Sequence, residues 1–80
     1  MPHISAKIFP GRSEEAKRAF ALAVRRAAVE YLNGSEAHIT VSVEDVPPAE
    51  WYERVYLPEV VNNPHMILPP QYQLEPDELG

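Results

Sequence analysis

Two alternating segments flank one long amphipathic segment, and this order constrains the fold more than any other feature of the 80-residue chain. Residues 3–9, His-Ile-Ser-Ala-Lys-Ile-Phe, place Ile4, Ala6 and Ile8 on one face and His3, Ser5 and Lys7 on the other. That is the period of a half-buried strand. Pro10-Gly11 ends it. Ser13 suits a helix N-cap, and Glu14 and Glu15 suit the positive end of a helix. Ala16, Phe20, Ala23, Val24, Ala27, Ala28 and Tyr31 then recur at helical spacing, with Lys17, Arg18, Arg25, Arg26 and Glu30 between them. The pattern predicts a helix over 14–32, closed by Asn33-Gly34. Ile39, Val41 and Val43 alternate with His38, Thr40, Ser42 and Glu44, which predicts a second strand over 37–44. Strand, helix and strand with short joins make a βαβ unit, whose two strands run parallel with a right-handed crossover.

Pro47-Pro48 breaks the chain again. A shorter helix is expected over 48–56, with Trp51 and Val55 on its apolar side and Pro58 ending or kinking it. Five prolines follow from position 58 onward, so 62–80 reads as an extended arm. Met66, Ile67, Leu68, Tyr72 and Leu74 are available there to pack on a neighbour, and the acidic last residues are expected to be mobile. The fold class is α/β in a single domain spanning 1–80, its core at 2–61.

A chain of this size buries little core, and without cysteine neither a disulfide nor a thiolate-bound metal can staple it. A two-stranded sheet under one helix leaves a face and both edges bare, so self-association is expected. No apolar run approaches the ~18 residues of a membrane span, and no signal peptide is visible, so the expected location is cytoplasmic. A net charge of -5 argues against nucleic acid as a partner. His3, His38 and His65 lack metal-ligand spacing, and no metal or other cofactor is expected. Only Gly11, Gly34 and Gly80 occur, too few for a phosphate-binding loop.

Pro2 is the residue with chemical promise. If Met1 is removed, Pro2 carries the α-amino group as a secondary amine. Such groups titrate near ~7.7–8.0, against ~10.4 for lysine. Partial desolvation lowers an amine further, and strand parity sets Pro2 with the apolar residues. The alternative is that Pro2 only stiffens the start of the strand.

Met-Pro-His-Ile, then Pro10-Gly11-Arg12-Ser13-Glu14-Glu15 opening a helix, then Val46-Pro47-Pro48-Ala49-Glu50-Trp51 after the second strand, resembles the tautomerase superfamily. The resemblance covers about 2–61 and lies with its 4-oxalocrotonate tautomerase-like branch. It is closest to the small dimeric bacterial members with a C-terminal extension. The resemblance implies cofactor-free keto–enol isomerisation of a small 2-hydroxy-dienoate or arylpyruvate-type acid. Pro2 matches the proline that shuttles the proton, Arg12 an arginine that binds a substrate carboxylate, and Trp51 an aromatic wall. A guanidinium grips a carboxylate bidentately, and an apolar wall favours the neutral amine.

At Thr40 the chain departs from the pattern, for the family's type member has a second arginine there. A hydroxyl cannot replace a charge facing a developing oxyanion, which shifts the expected substrate toward monocarboxylate enols. The resemblance also implies a homo-oligomer, with a dimer favoured over a hexamer. Two other readings stand beside it. Glu50 or Glu53 could activate water for dehalogenation or hydration of an unsaturated acid, or the fold could serve as a non-catalytic binding module.

Overall fold

The computed structural model describes residues 1–72. Leu74, Pro76 and the acidic end of the expected arm lie outside the described residues. The chain divides into two compact units, Met1–Asp45 and a second beginning at Val46.

In the first unit, β1 spans His3–Ile8, α1 spans Glu14–Leu32 and β2 spans Thr40–Asp45. The two strands pair in parallel, His3 opposite Thr40, Ile4 opposite Val41 and Ala6 opposite Val43. The expected β-α-β arrangement is therefore present. Ser13 caps α1, its hydroxyl accepting from the Ala16 amide at 3.1 Å. Asn33 closes the helix in the left-handed conformation, φ 56°, which a short polar side chain tolerates. Gly11 turns the chain between β1 and α1 at φ 123°, a value open to glycine.

The second strand begins three residues later than its alternation predicts. Residues Glu36–His38 form a single 3-10 turn instead. The His38 amide donates to the Ser35 carbonyl at 2.9 Å, and the Ile39 amide to Glu36 at 3.3 Å. Ile39 keeps its inward parity and is buried, so the turn consumes residues without shifting the face.

α1 packs differently from its full apolar stripe. Ala28 is buried, whereas Phe20 is 48% and Tyr31 78% exposed. Two strands about 4.8 Å apart are too narrow to cover the whole stripe. Ala21 and Val24 are half-buried in line with Ala28, and the flank with Phe20 and Tyr31 is left to solvent. Lys17 and Arg25 stand beside that line. Lys17 pairs with Glu14 at 2.9 Å and Asp45 at 3.4 Å, and Arg25 with Glu36 at 3.1 Å.

The second unit opens with α2, Pro48–Trp51, with Pro48 in its first turn, where a missing N–H costs nothing. The helix then widens into a π segment, Tyr52–Val61, that runs through Pro58. Pro58 therefore does not end it. In an α-helix the proline ring would collide with the carbonyl four residues back. The wider coil moves that carbonyl aside, and the Asn62 amide reaches Leu57, five back, at 2.9 Å. Val55 and Tyr56 are buried, and Tyr56 lies 5.6 Å from Tyr52 and 6.3 Å from Tyr72, ring centre to ring centre. Of the arm, Ile67 and Leu68 are each 87% exposed. No helix among the described residues is long and apolar enough to cross a membrane.

Candidate active site

Pro2 is half-buried at the head of β1. Its carbonyl accepts from the Thr40 amide at 3.2 Å. This bond belongs to the first pair of the parallel ladder, His3 with Thr40, and holds the proline's backbone in place. A Cβ added at Gly34 would lie 3.6 Å from Pro2 Cγ and 3.3 Å from Ile39 Cδ1. The absent side chain there leaves the turn after α1 close against the proline ring. Pro2 shares the half-buried state of Ile4, Ala6 and Ile8, while His3 and Ser5 are exposed.

Thr40 lies opposite His3, and its hydroxyl is 2.7 Å from His3 Nδ1. Sequence reasoning treated His3 as one of three scattered histidines and missed this pairing. Aligning the two strand heads by their alternation would have found it, because a parallel register sets the first residues of both strands side by side.

Arg12 stands at the other end of β1. Its Nη1 donates to the Phe9 carbonyl at 3.2 Å. The six residues of β1, His3–Ile8, separate it from Pro2 by roughly 20 Å. Arg12 and Lys17 flank an apolar cleft of about 340 Å³ lined also by Ile8, Ala16, Phe20 and Val43. Pro2 does not line that cleft. Within one chain, then, Pro2 and Thr40 come together and Arg12 does not join them. Trp51 belongs to the second unit, where it is half-buried on the first turn of α2.

The proton affinity of Lys17 is displaced upward. Its hydrogen bond to Glu14 raises its pKa above the ordinary 10.5; desolvation opposes this, and the bond and charge of Asp45 reinforce it. A permanent ammonium therefore marks the rim of the Arg12 cleft. Glu50, one of the two carboxylates expected as a water activator, is bound by Arg54 at 2.8 Å; Glu53 is exposed. Among the described residues no cluster of three or more His, Asp or Glu could hold a metal ion.

The family described as tautomerase enzyme matches residues 2–57. A probable tautomerase of Xylella fastidiosa (strain 9a5c) is 37% identical over 60 residues, which cover 75% of this chain and 73% of that relative. The 2-hydroxymuconate tautomerase of Comamonas testosteroni is 39% identical over 51 residues, covering 64% of this chain and 81% of its own length. Among solved structures, a heterohexamer 4-oxalocrotonate tautomerase from Chloroflexus aurantiacus J-10-fl aligns with a TM-score of 0.60 at 29% identity, over 64% of this chain and 82% of that one.

Proposed function

The chain belongs to the tautomerase family, enzymes of the isomerase class, and from that premise we propose that it is a cofactor-independent keto–enol tautomerase with Pro2 as its acid/base. The observation that carries the reading is the placement of Pro2, half-buried and tied through its carbonyl to Thr40. Once Met1 is gone, the neutral nitrogen takes the proton of the substrate's 2-hydroxyl. The electron pair moves through the conjugated carbons, and the same nitrogen returns the proton to a distant carbon. The nitrogen ends as it began, so no co-reactant is consumed. A base near neutral pH, shielded from bulk water, is what this shuttle requires.

The substrate class is a small carboxylate enol: an arylpyruvate-type acid in preference to a 2-hydroxy-dienoate dicarboxylate, because Thr40 carries no charge. Arg12 binds the carboxylate, and Trp51 supplies an apolar wall. Since Arg12 lies a strand's length from the Pro2 of its own chain, the arginine in each site comes from a second copy. The bare sheet face and the uncovered flank of α1 favour such an assembly, and a dimer is the simplest. The Chloroflexus relative is a heterohexamer, the larger alternative. The proposed location is cytoplasmic.

The test is ultraviolet-monitored ketonisation of phenylenolpyruvate and 2-hydroxymuconate by protein of verified mass lacking Met1, beside Pro2→Ala. Activity that collapses in the variant supports the reading. Equal rates in both proteins would remove Pro2 from the chemistry. With Glu50 occupied by Arg54, no specific observation favours the water-activating alternative.

A further inference from the structure

The sheet face opposite α1 carries three cross-strand pairs in register: His3 with Thr40, Ser5 with Ser42, and Lys7 with Glu44. None of the six is apolar. At the head of the sheet one threonine makes two bonds. Its amide donates to the Pro2 carbonyl at 3.2 Å, and its hydroxyl lies 2.7 Å from His3 Nδ1. Thr40 therefore fixes both the proline's backbone and the ring of the residue that follows it.

Tautomerisation builds negative charge on the substrate's 2-oxygen as its proton leaves. Something must meet that charge, and β2 offers no cation on this face, only Thr40, Ser42 and Glu44. Lys7 shares the face but stands four residues along β1, about 13 Å from His3, with Glu44 opposite. The Arg12 that a second copy brings to the site is taken up by the substrate's carboxylate. The imidazole of His3 points to the face opposite the proline ring, but it is exposed at the same strand head as the Pro2 nitrogen.

We infer that His3 is the substrate-oxygen donor of this enzyme: its Nδ1 accepts from the Thr40 hydroxyl, which leaves the Nε2 hydrogen to bond the 2-oxygen of a monocarboxylate enol beside Pro2. A threonine hydroxyl can donate to one ring nitrogen, and a neutral imidazole then carries its hydrogen on the other. A protonated ring keeps the same donor, with Nδ1 now donating to the threonine oxygen. The assignment gives Thr40 a purpose as a positioning residue, which orients the ring through its hydroxyl. It also accounts for a preference for one carboxylate, since a single neutral donor replaces a fixed charge. This inference rests on the reading of Pro2 as the base.

The experiment compares kcat and KM for phenylenolpyruvate in wild type, His3→Phe, His3→Gln, Thr40→Val and Pro2→Ala, all lacking Met1 and all checked for a wild-type melting transition. His3 is exposed, so its replacement leaves the core intact. His3→Phe should lower kcat by ~10–100-fold with little change in KM, the pattern of a donor felt mainly in the transition state. His3→Gln places an amide N–H near the position of Nε2 and should recover most of that loss. Thr40→Val should cost less than His3→Phe, because it frees the ring without removing the donor. Wild-type kcat in His3→Phe, with Pro2→Ala inactive, would overturn the role of His3 and leave Pro2 standing. A glutamine variant as slow as the phenylalanine variant would also overturn it. Full activity in Pro2→Ala would instead overturn the base assignment and this inference with it.

Discussion

The amide of Thr40 donates to the carbonyl of Pro2 at 3.2 Å, the bond by which the first pair of the parallel ladder, His3 with Thr40, reaches the residue before the strand. A terminal residue would ordinarily fray. Here the second strand captures it, and the nitrogen of Pro2 is held at the head of the sheet on a defined backbone. Positioning of this kind is what proton transfer needs, because a base must sit within hydrogen-bond reach of the proton it takes.

Pro2→Ala should therefore slow ketonisation by ~10²–10⁴-fold, the usual contribution of a positioned acid/base. The same requirement makes removal of Met1 a precondition, since an acylated nitrogen is no base. Met1 is 97% exposed, and intact-mass spectrometry of the purified protein should find it missing. Full activity in protein that retains Met1 would be incompatible with this chemistry.

Arg12 and Pro2 sit at opposite ends of β1, which makes subunit cooperation testable by mixing. Arg12→Ala should raise KM for phenylenolpyruvate ~10-fold or more, the loss expected for a charged hydrogen bond. Arg12→Lys should recover part of it, a point charge replacing a bidentate fork. Unfolding and refolding Pro2→Ala and Arg12→Ala together should restore some wild-type sites, because one copy supplies the proline and another the arginine. No recovery in refolded mixtures that exchange subunits, or a monomer in sedimentation at micromolar concentration, would contradict a shared site.

Ser13 caps α1 through the Ala16 amide. Ser13→Ala removes that acceptor and should cost about 1 kcal/mol. In a domain this small that corresponds to a fall of roughly 4–8 °C in Tm. Calorimetry giving an unchanged Tm would mean that water satisfies the amide equally well.

Lys17 links α1 to the end of β2 through Asp45, and its pKa is raised, chiefly by Glu14. A raised amine stabilises the fold fully below its unfolded pKa. That contribution is lost as pH climbs through the higher folded value, above 10.5. Between pH 7 and 9 it should be constant. Lys17→Met should lower Tm modestly at low salt, and 0.5 M salt should shrink the difference, because the partners are solvent-exposed. A Lys17→Met effect that changed between pH 7 and 9 would assign the linkage to another group.

The sequence by itself determined what depends on near neighbours. Both strand parities, the cap at Ser13, the left-handed stop at Asn33 and the span Glu14–Leu32 follow from residues a few positions apart. The likeness that singles out Pro2, Arg12, Thr40 and Trp51 also comes from the sequence, from short motifs at set spacing along 2–61. The tertiary structure decided what depends on distant pairing. The face of α1 that packs is set by the width of a two-stranded sheet, which leaves Phe20 and Tyr31 uncovered. The start of β2 is set by a 3-10 turn that competes with extension at Glu36–His38. Pro58 stays inside a helix because the coil widens around it. Above all, the bond between His3 and Thr40 spans thirty-seven positions and exists only because parallel pairing puts the two strand heads in register. Alternation tells which way a side chain points. Only register tells what it meets.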